Sequence, residues 1–93
     1  MNKIIRRIIA MLGLHNPGEP YKVKLSDIVI PAEFKESPPR FKKMIHKREY
    51  FRRNDRFESK IVLNRDFLLI DGYTSYLLAK EECMKRVEVY FVN

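Results

Sequence analysis

The chain has 93 residues, of which 45% are hydrophobic, so its composition supports one compact domain with a modest core and excludes two enzyme-sized domains. No apolar run approaches the roughly 20 residues of a membrane-spanning helix, and a single cysteine excludes an internal disulfide. The 19 Lys and Arg residues against 12 Asp and Glu residues give a net charge of +7, which makes a polyanion the first expected partner.

Residues 1–14 have the pattern of an amphipathic helix. Aliphatic side chains recur there at helical spacing, with basic residues largely beside them. We therefore predict an N-terminal helix that docks on its own domain, on a protein partner or on a second copy of the chain, with an anionic membrane surface as the alternative. Because no small-residue cleavage site follows, we do not expect a secretory signal, and we expect a cytoplasmic location.

A Pro/Gly-rich linker over residues 15–20 separates this helix from a predicted domain over residues 21–93. Residues 21–25 alternate apolar and polar side chains, as a strand does. Ser26-Asp27 then indicates a turn, and Pro31 prevents the apolar run Ile28–Ile30 from continuing as an interior strand.

The next segment carries most of the positive charge. Ser37-Pro38-Pro39 introduces a helix predicted over residues 39–53. Between Arg40 and Arg56 eight basic residues stand against two acidic ones, so one face of the domain should be electropositive. We expect this helix to bind nucleic-acid phosphates, with a merely solvated charged face as the alternative. The residues expected to bind are Arg40, Lys43, Lys47, Arg48, Arg52 and Arg53.

Arg48 interrupts an apolar stripe formed by Phe41, Met44, Ile45 and Phe51. Its stem can extend along the edge of that stripe with its charged end in water. Alternatively, its guanidinium can point into a cleft near Gly72 and hold a phosphate or a carboxylate. The sequence leaves both possibilities open.

The second half of the chain contains a predicted hairpin, a helix and a last strand. Ile61–Leu63 and Phe67–Ile70 are joined by a turn at Asn64–Asp66, and their unbroken apolarity predicts strands covered on both faces. Asp71-Gly72 ends the hairpin, a helix follows over residues 73–84, and a strand over residues 87–92. The predicted fold is a small α/β (α+β) domain with a mixed sheet of about four strands, two main helices and the appended N-terminal helix.

Four phrases in this order resemble the N-terminal domain of ParB partition proteins, within the ParB/sulfiredoxin-like superfamily. They are YKVKLSDIVIP, PRFKKMIHKREYF, KIVLNRDFLLIDGYTSYLLAKEE and VEVYFV, and they span about residues 21–92. The resemblance implies a DNA-binding module that serves a plasmid or another mobile element. Since no helix-turn-helix pattern is present, we expect mainly backbone contacts and low sequence specificity.

The resemblance also implies a degraded phosphate or nucleotide site at the turn formed by Gly72, Tyr73, Thr74 and Ser75. In ParB proteins this turn reads Gly-Glu-Arg-Arg and contacts nucleotide phosphates, and in sulfiredoxin it reads Gly-Cys-His-Arg and holds the catalytic cysteine. Only Gly72 matches, so we expect no sulfiredoxin activity and assign no catalytic residue. The alternative is a plain helix entry in which Thr74 or Ser75 caps the first turn.

Other chemistry has little support in the sequence. His15 and His46 lack ligand-spaced partners, so we expect no metal site. Asp71 is expected to close its turn, with binding of Mg²⁺ beside a nucleotide as the alternative, and Cys83 is expected to be a small buried side chain. Two functions besides DNA binding stay open: a nucleotide-binding or hydrolysing enzyme, and a protein–protein adaptor.

Overall fold

The computed structural model describes residues 18–92, so the predicted N-terminal helix and most of the linker lie outside the described residues. The elements are β1 (Pro20–Lys24), a 3₁₀ turn (Leu25–Asp27), α1 (Ala32–Glu36), α2 (Phe41–Asn54), β2 (Ile61–Leu63), β3 (Leu69–Asp71), α3 (Tyr73–Glu81) and β4 (Arg86–Phe91). The predicted strands and both main helices are confirmed. The short helix α1 is an addition that the sequence did not predict.

The four strands form one mixed sheet in the order β1-β4-β2-β3. β4 is antiparallel to β1 and parallel to β2, and β2 is antiparallel to β3. The β2–β3 turn is closed by Asn64, whose Oδ1 accepts hydrogen bonds from the backbone N–H groups of Asp66 (2.8 Å) and Leu68 (3.0 Å). The predicted fold class is therefore confirmed.

The core lies between this sheet and α3. Val87, Val89 and Phe91 are buried on β4 while Arg86 and Glu88 are exposed, as the two-residue period of a strand requires. The other buried hydrophobic residues are Val23, Leu25, Ile28, Ile61, Leu63, Phe67, Leu69, Leu78 and Ala79.

The expectation that both hairpin strands are covered on both faces is only partly right. β2 is well covered, but Ile70 on β3 is 47% exposed. β3 stands at the end of the sheet order, where fewer elements pack against it. Val29 extends that edge by a single parallel bridge: its N–H donates to the carbonyl of Phe67, and its carbonyl accepts from the N–H of Leu69, both at 2.9 Å.

Within residues 18–92, no helix is long and apolar enough to cross a membrane.

Candidate nucleic-acid interface

Helix α2 carries the predicted basic segment and lies on the surface of the domain. It begins after Pro38-Pro39, has Arg40 as its N-cap, and ends at Asp55 in the left-handed conformation (φ 54°). None of its residues is fully buried. Met44, Ile45 and Phe51 of the predicted apolar stripe are half-buried, but Phe41 is 78% exposed and does not belong to the core.

Lys47 turns toward the domain instead of toward solvent. Its Nζ donates to Oε1 of Glu58 at 2.7 Å and to Oγ of Ser59 at 2.8 Å, and its side chain is only 13% exposed. The hydrogen bond from Lys47 lowers the pKa of Glu58. Lys47 therefore fixes α2 to the loop that follows it, which corrects the expectation that it faces a phosphate.

Arg48 holds a carboxylate, which is one of the ligands considered for it from the sequence, but it does so away from the Gly72 turn. Its Nε and Nη2 donate to the two carboxylate oxygens of Glu81, at 3.0 and 2.7 Å. This bidentate hydrogen bonding raises the pKa of Arg48 and lowers that of Glu81. Glu81 is the last residue of α3, whereas Gly72 precedes its first residue, so Arg48 lies at the opposite end of α3 from the Gly72 turn.

The remaining cations of the segment are exposed. Arg40, Lys43, Arg52 and Arg53 are as accessible as predicted. Lys42 and Arg56 are also exposed and were left out of the predicted set, although Lys42 lies eleven residues before Arg53 and hence on the same side of the helix. We use the name basic face of α2 for the exposed cations on this helix and beside its ends: Lys42, Lys43, Arg52 and Arg53 lie on the helix, Arg40 precedes it and Arg56 follows its C-cap. Within residues 18–92, none of these six side chains forms an ion pair within 4.0 Å.

His46 is an exposed residue of the same helix, and its Nε2 lies 3.3 Å from Oε2 of Glu58. In the part of the chain that the structure describes, no group of three or more His, Cys, Asp or Glu side chains could hold a metal ion.

The Gly72 turn is built by tight packing. Gly72 has φ 90°, and Oδ1 of Asp71 accepts its backbone N–H at 2.9 Å, so Asp71 closes the turn. A Cβ atom on Gly72 would lie 2.3 Å from the carbonyl oxygen of Lys60. The glycine is thus needed for close contact with the chain entering β2.

The hydroxyl-bearing residues of this turn face inward. Thr74 and Ser75 are 5% and 1% exposed, and the Ser75 hydroxyl donates to the carbonyl of Ser59 at 2.6 Å. Helix α3 has no side-chain cap. The suggested role as caps is therefore wrong, and the Ser75 hydroxyl is already bound within the protein. Tyr73 is half-buried, with its ring 5.4 Å from that of Phe34.

Two further features differ from expectation. Cys83 is exposed and has φ 56°, because it lies in the turn after α3 and not inside the helix. A groove of about 510 Å³, which no sequence pattern indicated, lies near the other end of α3 from Gly72. It is lined by Lys24, Leu25, Ser26, Tyr76, Lys80, Met84, Lys85 and Arg86.

A scan against protein-family models finds no match, and a search of curated proteins finds no significant match. Among solved structures, a C2221 crystal form of a pNOB8-like ParB N-domain superposes with a TM-score of 0.65 at 22% identity, over 78% of this chain and 29% of that one. A second structure of the pNOB8-like ParB N-domain gives 0.63 at 25% identity, over 81% of this chain and 28% of that one. This chain thus has a ParB N-domain-like fold and spans under a third of those chains.

Proposed function

We propose that this chain is a ParB-like module that binds the phosphate backbone of double-stranded DNA through the basic face of α2, with little sequence preference. The observation that carries the proposal is the exposure of six cations, four on the surface helix α2 and one beside each of its ends, while Lys47 and Arg48, the two inward-facing cations, are held by Glu58 and Glu81. The likeness to ParB N-domains supports a role in the partition of a plasmid or another mobile element.

The dimensions of α2 suit a polyanion. Fourteen residues form a helix of about 21 Å, which matches the rise of about six base pairs of duplex DNA. Cations spread over that length can neutralise several phosphates at once and release their counterions. A helix lying on the backbone reads no base edges, which is why we propose low specificity.

A nucleotide site at the Gly72 turn has less support. The residues Thr74 and Ser75 are buried, the Ser75 hydroxyl donates to the carbonyl of Ser59, and the guanidinium of Arg48 is bound to Glu81 at the other end of α3. The Ser75 hydroxyl and the Arg48 guanidinium are thus already bound to other groups of the protein.

The test is DNA binding by fluorescence anisotropy across a salt series. Each neutralised phosphate contributes about −0.9 to the slope of log affinity against log salt, so we expect a slope of about −4 to −5 when about four to six cations of the basic face contact phosphates. Lys43→Gln should make the slope shallower by about one unit. Lys35→Gln, which removes the same charge from the exposed surface of α1, should leave the slope unchanged.

A flat salt response, or equal effects of Lys43→Gln and Lys35→Gln, would contradict the proposal. Absence of binding at low salt would instead favour the adaptor function. The triple substitution of Lys42, Lys43 and Arg53 by Glu should abolish binding and leave the fold intact, because all three side chains are exposed. Lys47 is excluded from this set because its substitution would also break contacts with Glu58 and Ser59.

A further inference from the structure

The groove near the end of α3 has an unusual lining for a protein surface. Four of its eight lining residues are basic and none is acidic. They come from three separate parts of the chain, and Leu25 and Met84 supply apolar contacts between them. Lys80 lies on the last turn of α3, with its Nζ 5.8 Å from the centre of the Tyr76 ring.

The register of β1 against β4 places two of these cations directly opposite each other. Lys24 stands across from Arg86, whereas Lys22, one step along the same side of β1, stands across from Glu88. Opposite charges facing each other across two strands are stabilising, and like charges are destabilising. The ladder is therefore electrostatically complementary at Lys22 and repulsive at Lys24.

The backbone fixes this arrangement. The N–H of Leu25 donates to the carbonyl of Lys85 at 2.9 Å, which holds the start of the 3₁₀ turn against the residue before β4. The nearby carboxylate of Glu81 is already bound by Arg48. Within the described residues, no ion pair within 4.0 Å neutralises Lys24, Lys80, Lys85 or Arg86.

We propose that this groove is a phosphate-binding site, separate from both the Gly72 turn and the basic face of α2. A phosphate between Lys24 and Arg86 would convert a repulsive strand pair into two attractive contacts, with Lys80 and Lys85 at the rim. The ligand is a phosphate group. It belongs either to a free compound or to DNA that continues from the basic face of α2, since a second groove containing Arg56 shares Met84 and Arg86 with this one.

Isothermal titration calorimetry of the full chain with inorganic tripolyphosphate at low salt tests the site. We expect saturable binding, and Lys24→Gln should weaken it about tenfold through the loss of one charge-assisted contact. Two matched controls remove one charge elsewhere: Lys22→Gln on the same strand and Lys43→Gln on α2, both of which should leave the affinity unchanged. Tripolyphosphate should also raise the melting temperature of the wild type more than that of Lys24→Gln.

No binding by the wild type, or an equal loss in Lys22→Gln or Lys43→Gln, would overturn the proposal. The DNA salt series distinguishes the two sources of phosphate. If Lys24→Gln also makes the DNA slope shallower by about one unit, the site is part of the DNA contact; if only tripolyphosphate binding falls, the ligand is a free polyphosphate compound. If DNA does not bind at all while tripolyphosphate still binds at Lys24, the proposed function fails and the groove assignment stands.

Discussion

Gly72 and Gly18 share a backbone conformation but differ in the space around them. Their φ angles are 90° and 82°, in the left-handed region that favours glycine. At Gly72, an added Cβ atom would lie 2.3 Å from the Lys60 carbonyl oxygen and 2.8 Å from the Ile61 Cα. At Gly18, an added Cβ atom would have no neighbour within 4 Å. The pair therefore separates the cost of the backbone conformation from the cost of a steric clash.

Gly72→Ala should lower the free energy of unfolding by about 3 kcal/mol or more, because the clash is with backbone that cannot move without disturbing β2. Gly18→Ala should lower it by at most about 1–2 kcal/mol, the cost of the left-handed conformation alone. Urea unfolding monitored by circular dichroism measures both. Equal effects of the two substitutions would show that the contact with Lys60 is not tight.

Glu58 links stability to pH. The Lys47 hydrogen bond keeps the pKa of Glu58 in the folded chain below its ordinary value of 4.5. A carboxyl group whose pKa is lowered by folding stabilises the folded state above its ordinary pKa, and this stabilisation is lost as the pH falls through the folded-state value.

Glu58→Gln should therefore reduce stability at neutral pH and flatten the fall in stability below pH 4.5. Lys47→Gln should likewise flatten the fall in stability at acidic pH, because it removes the main cause of the lowered pKa of Glu58. Urea midpoints measured between neutral pH and pH 3 check both variants. If stability falls as steeply at acidic pH in Lys47→Gln as in the wild type, Lys47 does not form this hydrogen bond with Glu58 in solution.

At the scale of elements, α2 is fixed to the domain by few side chains, all on one side. Lys47 binds the loop before β2, Arg48 binds the end of α3, and Phe51 stacks on Phe57 with ring centres 4.9 Å apart. Phe41 at the start of the helix is exposed. The contacts named here therefore lie between the middle and the C-terminal end of α2.

Phe51→Ala should lower the free energy of unfolding by about 1–2 kcal/mol, the value of a half-buried aromatic side chain with a stacking partner. Phe41→Ala should change it by less than about 0.5 kcal/mol. Chemical denaturation gives the two values, and hydrogen exchange along α2 should be faster in Phe51→Ala. A large loss in Phe41→Ala would place the start of the helix in a packed environment.

At the scale of the whole molecule, one hydrophobic core joins the sheet and α3 within residues 18–92. The buried residues on all four strands pack with Ala79 of α3 and with Phe67 of the hairpin turn. We therefore expect that deletion of residues 1–16 leaves cooperative thermal unfolding intact, because every strand keeps its neighbours. A broad, non-cooperative melting curve of the truncated chain would show that residues 1–16 complete the core.

Local sequence patterns predicted the helices and strands well. Most of the features that these patterns missed depend on contacts between residues far apart in the chain. Alternation in β4 and the apolar hairpin runs have a local cause, namely burial on one or both faces of a strand. Helix α1 has five residues and a single large apolar side chain, so its sequence cannot show the repeating apolar spacing that predicts a helix. Lys47 and Arg48 have partners 11 and 33 residues away, so no local pattern could predict that they face inward. The groove depends on the strand register that brings Lys24 to Arg86, which no local pattern could predict either.

The position of β4 governs the order in which the sheet can assemble. β4 follows β1 and β2 in the chain, yet it lies between them in the sheet. A nascent chain that has not reached Arg86 can pair β2 with β3 but leaves β1 without a neighbour and Val23 in water. Emergence of Arg86–Phe91 from the ribosome should therefore bring most of the domain to its native state in one late step, and a synthesis pause just before it would leave an aggregation-prone intermediate for chaperones.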